Sequence, residues 1–221
     1  MSRCAGLSSP HAIDQNNRQL HETNPGWFYH GSMPIQSIRQ NPHTGRSMYV
    51  YSWAERHAIF QAASWVTLDE QSGFAFVHFL GMLMLAGLRV DEARQVHWNA
   101  RTIDDKQGPW LDLSAWEIVI PDSDGRSKRI VPIIPQLASL LSRWPSPREG
   151  SLFPFRITYA KIVSCWEETV KLAGVRPVNI NSLRGTYAAM MHEVFRLSSK
   201  EISKILGETS GKWRNTMPTS K

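Results

Sequence analysis

The longest apolar run of the chain, Phe74 to Leu88, contains a single titratable residue, His78. It falls short of the roughly 20 residues that a membrane-spanning helix needs, and so predicts a buried helix of a globular core. Other stretches repeat apolar residues at helical spacing. Trp53, Ile59, Phe60 and Ala63 predict a helix over Ser52–Ser64. Thr67-Leu68-Asp69-Glu70 reads as an N-cap with acidic first-turn residues, opening the apolar helix. Pro135 opens a further helix whose Leu137, Leu140 and Leu141 face inward. Ile162, Val163, Trp166 and Val170 give an amphipathic helix over Tyr159–Ala173, with Gly174 as its C-terminal cap. Leu183, Tyr187, Met190, Met191 and Val194 mark another, and a last one runs from Leu197 to Leu206, with Gly207 ending it.

The two-residue period occurs around one turn. Trp116-Glu117-Ile118-Val119-Ile120 alternates, Asp122-Ser123-Asp124-Gly125 is turn chemistry, and Lys128-Arg129-Ile130-Val131-Pro132-Ile133 returns. Gln95-Val96-His97-Trp98 continues the element before it, with His97 and Trp98 as packing residues, and Ile103 to Leu113 is mixed and turn-rich. The pattern predicts a mainly α domain with a small antiparallel β-sheet, an α+β fold. Residues 1–48 show no sustained period and are broken by Pro10, Pro25, Pro34 and Pro42. They predict an N-terminal arm with little fixed structure, which its aromatic cluster Trp27, Phe28 and Tyr29 docks on the domain or offers to bases. The domain proper covers 49–210, and 211–221 is a polar tail.

Composition narrows the partner. In 221 residues the net charge is +6, with 42 % hydrophobic residues and nine tryptophans. That content supports a real core, and the charge tilts toward an anionic partner such as nucleic acid. Cys4 and Cys165, far apart, form neither a disulfide framework nor a metal-ligand spacing, which fits a reducing cytoplasm. No secretory h-region opens the chain.

Two arginines carry the candidate chemistry. Arg184 stands at the start of the helix containing Tyr187, where a guanidinium and the N-terminal dipole can hold a phosphate, or where an arginine is simply solvated. Arg89 closes the apolar run, and Glu92 follows one turn later. Glu92 is either a charge-assisted hydrogen-bond partner that holds Arg89 or a solvated acid. Between the two arginines, Arg126, Lys128 and Arg129 make the hairpin basic, as suits a strand pair lying against a DNA groove.

The stretches Ala86-Gly87-Leu88-Arg89-Val90-Asp91-Glu92-Ala93, Leu183-Arg184-Gly185-Thr186-Tyr187 and Leu206-Gly207, in this order and with the basic hairpin between them, resemble the conserved boxes of the tyrosine recombinase (phage integrase) catalytic domain. Ser151-Leu152-Phe153-Pro154 is similar to a short link of the same family. The resemblance covers about Tyr49 to Ser210. It implies that Arg89 and Arg184 grip the scissile phosphate, that duplex DNA is the partner, with other recombinase subunits as further partners, and that neither metal nor small-molecule cofactor is needed. It implies a bacterial or phage-related nucleoid setting. The family usually carries a helical DNA-clamping domain upstream, for which residues 1–48 are too few, so a fragment or a shortened relative is expected.

The remaining family positions differ. The histidine expected three residues before the second arginine is Asn181, and the histidine or tryptophan expected after Leu206-Gly207 is Glu208. The hairpin lysine position, counted back from Val131-Pro132, holds Asp124, leaving Lys128 or Arg126 as a displaced general acid. The nucleophile position falls near Met217, and no tyrosine follows Tyr187. Without that nucleophile the covalent route is absent. Three readings follow: a DNA-binding integrase-like protein without cleavage of its own, an active recombinase completed by a partner or a longer C-terminus, or a module that regulates a full-length integrase.

Overall fold

The computed structural model describes residues 38–40, 47–99, 108–122, 127–144 and 148–208. Two short strands, β1 (Ile38–Gln40) and β2 (Ser47–Tyr49), pair antiparallel. The end of the stretch expected to lack fixed structure is therefore a ribbon leading into the domain. The aromatic cluster at 27–29 lies outside the described residues.

Helix α1 (Trp53–Ala63) starts where its sequence says it should. The Ser52 hydroxyl accepts from the Glu55 N–H, and the Glu55 carboxylate accepts from the Ser52 N–H at 2.7 Å, a reciprocal capping box. The expected helix start at Thr67–Glu70 is instead a hairpin: β3 (Thr67–Asp69) pairs antiparallel with β4 (Phe74–Ala75). Asp69 accepts from the Ser72 N–H at 2.8 Å and hydroxyl at 2.6 Å, and Gly73 takes a left-handed φ of 66°. These contacts satisfy locally the groups that a helix would have used. Helix α2 (Phe76–Met84) then begins two residues into the apolar run.

Helix α2 is the centre of the core. It packs against α1, against α4 (Pro135–Ser142) and against α6 (Leu183–Phe195). Phe76, Phe79, Leu80, Met82 and Leu83 are fully buried. Gly81 is pressed against Leu140, so the α2–α4 contact has no room for a Cβ. At its base Phe74, His78, Trp144 and Phe153 meet edge to face, with centroids 4.8–5.8 Å apart. His78 belongs to this apolar cluster, and burial pushes its imidazole below the ordinary value.

After α2 the chain makes a short helix, α3 (Val90–Arg94), and then a three-stranded antiparallel sheet. Its strands are β5 (Trp110–Asp112), β6 (Glu117–Ile120) and β7 (Arg129–Pro132), in that order. The hairpin β6–β7 was legible; β5 adds a strand that the mixed composition of 103–113 concealed. His97 bridges Trp110 on one side and Ser151 on the other, so 97 and 151 extend the sheet edge. Trp116, expected in the strand, precedes it with a left-handed φ of 56°. Helix α5 (Tyr159–Ala173) ends at Gly174 in the left-handed conformation and packs on α1. A 3-10 turn (Ile180–Ser182) feeds α6, and α7 (Ser199–Leu206) packs on α6 and β7. In α6 Met190 and Met191 are buried as expected, whereas Val194 is largely exposed.

Candidate phosphate-binding site

Three segments distant in sequence meet at Gly87. With φ at 62° the chain turns sharply out of α2, and a Cβ there would lie 2.5 Å from Tyr187 Cδ1 and 2.9 Å from Leu206 Cδ2. Only a glycine lets α6 and the end of α7 approach so closely. Gly207, at φ 61°, caps α7 and lies against Arg129, whose Cδ would be 2.9 Å from a Cβ. The backbone thus gathers Arg89, Arg129, Arg184, Glu92 and Glu208 into one cluster.

Arg184 is the anchor. It is the second residue of α6, yet it is not a solvated arginine at a helix start: its side chain is 8 % exposed. Nη1 donates to the Gly87 carbonyl and Nη2 to the Leu206 carbonyl at 2.8 Å. Nη2 also donates to Glu208 Oε1 at 3.0 Å. Arg89 follows α2 and caps α3. Its Nη1 donates to Glu92 Oε1 at 2.9 Å, its backbone N–H to Glu92 Oε2 at 2.7 Å, and its Nη2 stands 3.6 Å from Glu208 Oε1. One oxygen of Glu208 therefore faces the Nη2 groups of both arginines. Arg129 donates to Glu92 Oε2 at 2.6 Å, and Arg184 Nη1 stands 4.0 Å from the same oxygen. Three guanidinium groups against two carboxylates leave one net positive charge. Arg89, 24 % exposed, is the arginine that solvent reaches most. The Nε–H groups of Arg129 and Arg184 are buried without a hydrogen-bond partner. The cluster can grip an anion.

Burial works to raise the Glu92 carboxyl. The hydrogen bond and charge of Arg129, the Arg89 N–H and the charge of Arg184 outweigh it and hold the group below the ordinary carboxylate range. In the unfolded chain glutamate titrates near its usual value of about 4.3. Ionised Glu92 thus stabilises the fold fully above that value, and the contribution is lost as pH falls through the depressed folded value. Thermal melts from neutral pH to about pH 3 are expected to show a shallower acid limb for Glu92→Gln. Some limb remains, because Glu55 is also held low: burial opposes this, but the Tyr49 hydroxyl and the cap at Ser52 outweigh it. An identical limb in the variant would contradict the assignment.

No model of a protein family matches the sequence, and no curated protein matches it. Solved structures do. XerA recombinase matches with a TM-score of 0.58 at 22 % identity over 76 % of this chain and 59 % of that one. XerH site-specific recombinase bound to its palindromic difH substrate matches at 0.59 and 18 % identity, over 80 % and 51 %. The catalytic domain of bacteriophage HP1 integrase matches at 0.52 and 15 % identity, over 76 % and 88 %. The fold is that of a tyrosine recombinase catalytic domain. At these identities the likeness is one of fold, and the chain spans about half to three-fifths of the first two structures.

Within this recombinase fold the sequence-predicted residues divide. Arg89, Arg184, Glu92 and Glu208 are together. Arg129 was expected on the groove-facing hairpin and instead turns inward, 5 % exposed, to pair with Glu92. The signal was in the strand itself: Arg129 alternates in phase with buried Val131 and Ile133. Lys128, just before β7, is exposed, as is Ile130. Asn181 is exposed in the 3-10 turn, and its N–H donates to the Asn179 side chain. Arg126, Asp124 and Met217 lie outside the described residues. Tyr187, one turn after Arg184, is fully buried; burial raises its hydroxyl well above the ordinary value, and that hydroxyl has no hydrogen-bond partner. Among the described residues no group of His, Cys, Asp and Glu can hold a metal ion, and no helix is long and apolar enough to cross a membrane.

Proposed function

We propose that this chain is an integrase-like protein of site-specific recombination that binds duplex DNA through the arginine cluster and does not cleave a strand on its own. The observation that carries the reading is the convergence of Arg89 and Arg184 Nη2 on a single carboxylate oxygen, at 3.6 and 3.0 Å. Two guanidinium forks aimed at one oxygen suit a non-bridging phosphate oxygen. The net charge of +6 favours a polyanion, and among the solved structures of the same fold are a XerH complex with difH DNA and a Tn1549 transposon integrase bound to transposon-end DNA.

The second half of the reading rests on what the cluster lacks. Strand cleavage by covalent catalysis needs an accessible tyrosine hydroxyl that can reach the phosphate. Among the described residues the tyrosine beside the cluster is Tyr187, and it is sealed in the core as a neutral phenol. Asn181 cannot shuttle a proton.

Fluorescence anisotropy with a labelled duplex at several salt concentrations tests binding. Affinity is expected to fall linearly on a log–log plot against salt, and Arg89→Ala to weaken it and reduce the slope by about one. No affinity at low salt would overturn the reading. On a nicked duplex that traps phosphotyrosine, the chain alone is expected to give no detergent-resistant adduct. An adduct formed by the chain alone would refute the absence of cleavage, and one formed only with a tyrosine-bearing recombinase would place the nucleophile on that partner.

A further inference from the structure

We propose that Glu208 is an internal occupant of the phosphate site, a carboxylate that must leave the arginine pair before a DNA phosphate can enter; this rests on the DNA-binding reading above. Its Oε1 sits where an anionic ligand of the two arginines would sit, 3.0 Å from Arg184 Nη2 and 3.6 Å from Arg89 Nη2. The side chain is 9 % exposed, so its charge is held by the arginines and not by water.

The charge balance makes the two anions competitors. The cluster holds three arginines and two carboxylates. A phosphodiester also carries one negative charge, so exchanging it for the Glu208 carboxylate leaves the local charge unchanged. Adding it beside Glu208 would put three anionic groups in one poorly solvated site, with the phosphate and Glu208 against the same Nη2 donors. Exchange is therefore the favoured route, and each binding event has to displace Glu208.

The backbone is arranged for a local movement. Glu208 follows Gly207, which is left-handed at φ 61°, and the Glu208 N–H donates to the Ser203 carbonyl at 3.0 Å. The end of α7 thus stays fixed through main-chain bonds. The exchange asks the carboxylate to rotate out about its own side-chain torsions. Arg184 meanwhile keeps its bonds to the Gly87 and Leu206 carbonyls, so the fork survives the exchange. The expected consequence is self-inhibition: the site stays assembled and partly neutralised until a phosphate competes for it.

The test compares duplex binding by the unaltered chain and Glu208→Gln across about 50 to 200 mM salt. The amide keeps an acceptor for Arg184 and removes the charge. Affinity is expected to rise about tenfold, and the salt slope to steepen by up to about 0.9, because the phosphate then meets the arginines without a carboxylate being released in exchange. The gain should vanish in Glu208→Gln combined with Arg89→Ala. Equal affinity and slope in the unaltered chain and the variant would overturn the inference and leave DNA binding standing. Binding by neither would overturn both. Should the Gln variant melt early, Glu208→Trp gives the same comparison. The unaltered chain, labelled with 13C-glutamate, gives it without any substitution: the Glu208 carboxyl resonance should shift on adding duplex, and a resonance that stays in place would overturn the inference.

Discussion

Replacing Arg184 by alanine is expected to lower stability by about 3–5 kcal/mol, because it breaks a buried ion pair from one side only. Glu208 would lose the guanidinium at 3.0 Å and keep Arg89 at 3.6 Å. The Gly87 and Leu206 carbonyls would lose the donors that Arg184 supplies. For a chain of this length the loss corresponds to roughly 6–20 °C in Tm. Arg184→Lys should recover little, since an ammonium cannot span two carbonyls and a carboxylate with fixed fork geometry. A double-mutant cycle separates pairing from packing. Adding Glu208→Ala to Arg184→Ala removes the stranded carboxylate and should return part of the stability. Strict additivity of the two single effects would show that the residues are not coupled and that Arg184 acts through its carbonyl contacts alone.

Gly87→Ala is expected to cost about 2–5 kcal/mol, from two separable sources. The left-handed φ of 62° costs any other L-residue about 1–2 kcal/mol. The new methyl would meet the Tyr187 ring and Leu206, and such overpacking costs about 1–3 kcal/mol. Gly73 offers an internal control. Its φ is 66°, with nothing within 4 Å of a Cβ, so Gly73→Ala should show the backbone share alone. The two variants compared by chemical denaturation give the packing share by difference. Equal losses would mean that α6 and α7 yield to the methyl and that the close approach at Gly87 is not what seats Arg184.

These two residues also show how far the sequence could be read. The helices were legible because their periods and caps are local: Ser52 with Glu55 and Gly174 at φ 63° are decided within a few residues. The strands Thr67–Asp69 and Trp110–Asp112 escaped because three residues are too short to display alternation, and Thr67-Leu68-Asp69-Glu70 carries the same residue types as a helix start. For the site, Arg89 and Arg184 stood out through the order of the boxes around them. Their meeting at Gly87 is a tertiary fact. Arg129 was misjudged because a basic hairpin suggests a groove, although its phase with Val131 and Ile133 argued for the interior. Glu208 stood out as a departure from the family position. That it lies on the two arginines required the turn at Gly207 to bring it there.

The claim on which the rest depends is that Arg89 and Arg184 together hold one phosphate. A crystal structure of the chain with duplex DNA tests it most directly. The account predicts a non-bridging phosphate oxygen within about 3 Å of a guanidinium nitrogen of each arginine, with the Glu208 carboxylate displaced. Duplex seated on another face, with Glu208 still between the two arginines, would contradict it.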